Sequence, residues 1–183
     1  GVFQFDSQGM REYLKQLIPT KFEDLVAMTS LYRPGPMKNI PEFIKRKLGF
    51  SKISYLDPSL EPILKDTYGI IVFQEQVMQI GAKIGGLTLA QSDLMRKAMG
   101  KKNKRLMATF KVDFVNGAKE KNISQEVAIS IFDLLEKFAE YGFNKSHSTA
   151  YAIISYQTAW LKAHYPSEFL AANMSSEFGD SDR

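Results

Sequence analysis

Along most of this chain apolar residues return every three or four positions, the spacing that lines one face of an α-helix. In "KFEDLVAMTSLY" that face is Phe22, Leu25, Val26 and Met28, and Thr20 with Glu23 has the pattern of a capping box. Asp57 and Pro58 open "PSLEPILKD" as a cap followed by proline in the first turn. "YGIIVFQEQVMQIGAKIGG" begins on a short β-branched run, Ile70 to Val72, and then turns helical through Val77, Ile80 and Ile84. Thr88 and Ser124 are predicted caps of "LAQSDLMRKAM" and "QEVAISIFDLLEKFAEYG", with a further helix between them over roughly 104–120. Ser146 is the predicted cap of the last long helix, "HSTAYAIISYQTAWLKAHY", which Pro166 closes. The pattern predicts a mainly α, multi-helical fold with at most a marginal short strand near Ile70.

One stretch breaks the periodicity. "YRPGPMKNIP" holds three prolines and a glycine in ten residues, poor in N–H donors, and reads as an extended connector. It divides the chain into a helical segment, 1–32, the connector, 33–41, and a helical region, 42–179, followed by a polar tail, 180–183. With 183 residues, 44% of them hydrophobic, the chain can bury a sizeable core and is expected to fold as a soluble globular unit. The absence of cysteine excludes a disulfide scaffold, a Cys-ligated metal and a thiol nucleophile. Two histidines are too few for a His-rich metal site, and no apolar run approaches the roughly 18 residues of a membrane span. A start on Gly1, Val2 and Phe3 without methionine reads as the interior of a longer polypeptide.

The net charge of +4 hides an uneven distribution. Residues 1–82 carry ten basic and nine acidic side chains, residues 83–121 ten basic and three acidic, and residues 122–183 four basic and eight acidic. Local basic surface is the electrostatic footprint of phosphate partners. Its centre is "RKAMGKKNKR", residues 96–105, with Arg96, Lys97, Lys101, Lys102, Lys104 and Arg105 and no acid among them. Leu94, Met95, Ala98 and Met99 are the expected buried stripe of the preceding helix, which turns Arg96 and Lys97 outward. A solvated charged face is the plain alternative, but such faces usually interleave glutamate with lysine.

"GFNKSHSTAY" is the second concentration of polar chemistry. A helix start has unpaired N–H groups and a partial positive charge, and Asn144, Lys145 and His147 stand there, so the site suits an anion such as a phosphate. The plain alternative is that Ser146 caps the helix while His147 packs on Tyr151, four residues on. Other combinations fail on geometry. Ser146, His147 and Ser148 are consecutive, hence about 100° apart around a helix, and cannot pair as nucleophile and base. Asp180 and Asp182 form a D-x-D in a tail with no scaffold to hold an ion; Glu23, Asp24 and Glu75 suit caps and surfaces. Gly81, Gly85 and Gly86 lack the order and the lysine of a phosphate loop. No catalytic set and no metal set is complete.

Longer motifs decide the family. "GVFQFDSQGM", "LYRPGPM", "YGIIVFQEQVMQI", "SDLMRKAMGKK" and "FAEYGFNKSHSTAYAIISYQTAWLKAHYPSEFLAANM" together resemble, in order and along nearly the whole chain, the C family of bacterial replicative DNA polymerases, the DNA polymerase III alpha subunits. The resemblance implies a fingers-type region beginning just past the palm, whose carboxylates would precede Gly1; residues 1–32 would adjoin that palm. It implies templated nucleotidyl transfer by the parent enzyme with Mg²⁺ held outside this region, so that the isolated piece would be inactive. Arg96 and Lys97 resemble the paired basic residues that face the triphosphate, although many members have arginine where this chain has Lys97, which keeps the charge and loses the bidentate fork. Lys101, Asn144, Lys145 and His147 are implied nucleotide contacts, Lys102, Lys104 and Arg105 DNA contacts, and Arg33 a weaker candidate. Implied partners are template-primer DNA, the incoming dNTP, the rest of the polymerase chain and the replication holoenzyme, in the cytoplasm and without a membrane. Without the resemblance, the residues alone also fit a non-catalytic all-α module that binds DNA or RNA through 96–105, or a structural fragment.

Overall fold

Local capping chemistry explains most of the helix starts in a computed structural model that describes residues 1–139, 142–176 and 178. Among the described residues ten α-helices follow in order: α1 (Gln8–Leu17), α2 (Phe22–Leu31), α3 (Ile40–Lys47), α4 (Glu61–Leu64), α5 (Gln74–Lys83), α6 (Leu89–Gly100), α7 (Lys104–Lys119), α8 (Gln125–Ala139), α9 (Lys145–His164) and α10 (Pro166–Ser176), with short 3₁₀ turns at Pro36–Asn39, Pro58–Leu60 and Lys65–Thr67. The expected caps at Asp57, Thr88 and Ser124 form: Ser59 N–H donates to Asp57 Oδ1, Gln91 N–H to Thr88 Oγ1 and Val127 N–H to Ser124 Oγ. At Thr88 the box is complete, because Gln91 Oε1 accepts the Thr88 N–H at 2.8 Å.

Several local expectations are corrected. Ile70–Val72 form no strand; among the described residues the only ladder contact is an isolated parallel bridge between Phe73 and Phe143. The proline-rich stretch is not extended: Pro36 opens a 3₁₀ turn and Pro41 sits in the first turn of α3, positions where a missing N–H costs nothing. The acid that serves the start of α2 is Asp24 rather than Glu23, its fully buried carboxylate accepting the N–H groups of Thr20 and Lys21 at 3.0 and 3.4 Å. Helix α9 begins at Lys145, so Ser146 lies inside its first turn, and Pro166 opens a further helix, α10, besides closing α9. Leu94 is 57% exposed, outside the stripe that Met95, Ala98 and Met99 bury. Asp180, Asp182 and the rest of the tail lie outside the described residues.

The chain divides into two compact units, Ser30–Lys145 and, from the two ends together, Gly1–Thr29 with Ser146–Arg183. In the first, α5 to α8 enclose one hydrophobic core that includes Val77, Ile80, Ile84, Met95, Met99, Phe114, Ile131, Phe132 and Leu135. Each such side chain contributes about 1.5–3 kcal/mol by leaving water. Backbone packs on backbone where α7 crosses the end of α5: a Cβ on Gly117 would lie 2.0 Å from the Gly85 carbonyl oxygen, and one on Gly85 would lie 2.3 Å from the Phe114 ring. Only glycine fits there. A buried polar hub orders the approach to α5. Gln76 accepts the Val72 and Phe73 N–H groups through Oε1, at 2.8 and 3.0 Å, and donates through Nε2 to Thr67 Oγ1 and the Ile63 carbonyl.

In the other unit, Ser7 caps α1 by accepting the Met10 N–H. Phe3 N–H donates to Thr158 Oγ1 of α9 at 3.1 Å, and its ring lies 5.2 Å from that of Tyr151. An apolar cleft of about 700 Å³ opens between Phe5, Leu14, Phe22, Leu25 and Tyr156. Among the described residues no helix is long and apolar enough to cross a membrane.

Candidate functional site

The basic run 96–105 begins in the last turns of α6 and continues into the turn before α7. Helical spacing gives it a counter-charge that lies just outside the run: Asp93 receives Arg96 at 2.6 and 3.1 Å and Lys97 at 2.6 Å, from positions i+3 and i+4. The Lys97 ammonium and then the Arg96 guanidinium hold the Asp93 carboxyl below the usual carboxylate range. Arg96 is half-buried, its side chain 19% exposed, whereas that of Lys97 is 56% exposed. The outward turn expected of both therefore holds for Lys97 and only partly for Arg96. Beyond α6, Lys102 adopts a left-handed conformation with φ at 52°, bending the chain into α7. Lys101, Lys104 and Arg105 are exposed and form no ion pair among the described residues.

The second cluster is assembled from three parts of the same compact unit. Glu75, in the first turn of α5, accepts the Lys145 backbone N–H with both carboxylate oxygens, at 3.1 and 3.0 Å. Gln74 donates its backbone N–H to the Phe143 carbonyl and its side-chain amide to that of Gly142, both at 2.9 Å. The Arg33 guanidinium stacks 3.4 Å above the Phe143 ring centre, and the Lys145 ammonium lies 5.5 Å from that of Phe73. Partial burial lowers the Arg33 pKa from its ordinary value. Arg33, Asn144 and Lys145 thus share one corner, flanked by two aromatic rings.

Connectivity relates the two clusters. Helices α5 and α6 are joined by residues 84–88, and Gly81 of α5 packs against Ser92 and Met95 of α6 near the connecting turn. Away from that turn, α5 starts at Gln74–Glu75, with Lys145 held on Glu75, and α6 ends at Met99–Lys101 in the basic run. His147 belongs to the other unit, where its ring lies 4.0 Å from that of Tyr151, tilted by 32°. No group of three or more acidic or imidazole side chains that could hold a metal occurs among the described residues.

Three partners at this site, Asp93, Glu75 and Phe143, are absent from the residues that the linear sequence singles out as candidates. The role of Asp93 was legible in principle from its i−3 and i−4 spacing to Arg96 and Lys97. Glu75 and Phe143 carried no such signal, since Glu75 meets Lys145 across 70 positions.

Comparison with known proteins agrees in extent with the motifs. Residues 1–122 match the sequence profile described as the bacterial DNA polymerase III alpha subunit finger domain. The chain is 56% identical over 182 residues to the DNA polymerase III subunit alpha of Xylella fastidiosa (strain Temecula1 / ATCC 700964). It is 55% identical over 183 residues to that of Caulobacter vibrioides and 57% over 182 residues to that of Neisseria meningitidis serogroup B. All of this chain is covered in each case, against 15% of the Xylella protein and 16% of the other two, so it spans about a sixth of the curated relatives it matches.

Proposed function

We propose, given that the chain belongs to the family of bacterial DNA polymerase III alpha subunit finger domains, that it receives the incoming dNTP and part of the template-primer for a cytoplasmic replicative polymerase. Arg96, Lys97 and Lys101 meet the triphosphate, Asn144 and Lys145 complete the nucleotide pocket, and Arg33 supports it. Lys102, Lys104 and Arg105 meet DNA phosphates. The observation that supports this reading is that the far ends of α5 and α6, joined by residues 84–88, each carry a cationic group, the Lys145 corner held on Glu75 and the basic run, although some 50 residues separate the two in sequence. A generic nucleic-acid module using 96–105 alone leaves the Lys145 corner without a purpose.

Magnesium ions supply charge neutralisation at the phosphates in phosphoryl transfer. The carboxylates at this site do not fit as their ligands, because Asp93 is engaged by Arg96 and Lys97 and Glu75 by the Lys145 N–H. The ion ligands are therefore assigned to the rest of the polymerase, as are the holoenzyme contacts, and the isolated chain is expected to extend no primer.

The test is made in the full-length polymerase carrying this chain. Arg96→Ala and Lys145→Ala each remove a charge-assisted contact, about 1.5–3 kcal/mol, and are expected to lower kcat/KM for dNTP by about tenfold to a hundredfold while DNA affinity holds. Equal loss of nucleotide use and DNA binding would favour the generic module instead.

A further inference from the structure

The nucleotide reading assigns no task to Glu75, yet that carboxylate governs how the Lys145 segment leaves α5. Helix α9 starts unfavourably by itself: it places Lys145 at the positive end of the helix dipole, with no acid in its first turn. Glu75 supplies the missing anion from 70 residues away, both oxygens within 3.1 Å of the Lys145 N–H. Around it, Phe143 donates to the Val72 carbonyl at 3.2 Å and Gln74 holds the carbonyls of Phe143 and Gly142. The backbone from Gly142 to Lys145 is thereby pinned to the first turn of α5.

We propose that Glu75 is a positioning residue for the nucleotide pocket. Its carboxylate sets the backbone from which Asn144 and Lys145 project, and it occupies the N–H that would otherwise draw an anion to the helix start. An incoming triphosphate is thereby met by the Lys145 side chain rather than by the backbone behind it. A cation at a helix start is useful only if something else neutralises the dipole, and Glu75 does that without contacting the substrate. The proposal rests on the reading of Asn144 and Lys145 as nucleotide contacts.

The experiment compares Glu75→Ala, Glu75→Gln and Lys145→Ala in the full-length polymerase, by steady-state incorporation of a single dNTP and by primer-template affinity. Glu75→Ala is expected to raise KM for dNTP about tenfold with a smaller change in kcat and unchanged DNA affinity, because misplacement weakens binding before chemistry. Glu75→Gln keeps an acceptor oxygen at the Lys145 N–H and is expected to return KM to within about threefold of the parent. A raised KM in Lys145→Ala with an unchanged KM in Glu75→Ala overturns the positioning role alone. An unchanged KM in Lys145→Ala overturns the nucleotide reading and the proposal with it. Should Glu75→Ala not fold, Glu75→Gln decides: a folded Gln variant that loses DNA affinity as much as nucleotide affinity overturns the proposal in favour of a general structural role.

Discussion

The two ends of the α5–α6 pair are built from opposite materials. At the turn end, Gly81 packs on Ser92 and Met95, and Gly85 lies against Phe114 and Gly117 with no room for a side chain. At the open end, Glu75 holds Lys145, and Asp93 restrains Arg96 and Lys97 while Lys101 and its neighbours extend into solvent. Steric packing fixes one end and charge equips the other. The comparison teaches that glycine-rich and lysine-rich stretches in one helical hairpin divide the labour: the glycines discounted as a phosphate loop anchor the helices whose far ends carry the cations.

The largest effect is expected at the packed end. Gly117→Ala improves helix propensity by about 1 kcal/mol, but its Cβ would meet the Gly85 carbonyl oxygen at 2.0 Å, backbone that cannot swing aside. A net destabilisation of about 3 kcal/mol is expected, at the upper end of overpacking costs, measured as the shift in urea midpoint of the chain. A loss below about 1 kcal/mol would show that the crossing can open and that this end is not the anchor.

At the charged end, changing Lys102, Lys104 and Arg105 together to glutamate should weaken primer-template binding by the full polymerase and flatten its salt dependence. If all three meet phosphates, the slope of log affinity against log salt falls by about 2–3. An unchanged slope would remove this turn from the DNA interface.

The smallest effect separates the two halves of the basic run. Asp93→Asn releases Arg96 and Lys97 from their partner, and because the carboxylate is partly exposed, stability at neutral pH should fall by less than about 1 kcal/mol. The pH dependence has a definite sign. Since the folded carboxyl titrates below its ordinary value, its contribution is present above the ordinary carboxylate range and vanishes as pH falls through the lowered value. Denaturation midpoints of the two proteins should therefore converge in acid and separate above about pH 4. Midpoints that stayed parallel down to strong acid would mean Asp93 is not held by this pair.

What the linear sequence determined about this protein is what depends on neighbours within a turn or two. The mainly helical fold, the caps at Asp57, Thr88 and Ser124, the buried Met95–Met99 stripe and the length of α7 follow from periodicity and capping chemistry, which act over three or four residues. Long motifs carried the family as well. Where the local signal was ambiguous, tertiary packing chose: Ile70–Val72 has the composition of a strand but, among the described residues, no partner strand to pair with, and Gln76 satisfies the Val72 and Phe73 amides instead. The site shows the same limit. Arg96 and Lys97 were legible as cations, but their restraint by Asp93 needed the helix to be in place, and the stacking of Arg33 on Phe143 had no local signal. Only the tertiary structure brought Glu75 to Lys145, because a carboxylate finds a helix start 70 residues away through the packing of everything between them, and no pattern of near neighbours encodes that distance.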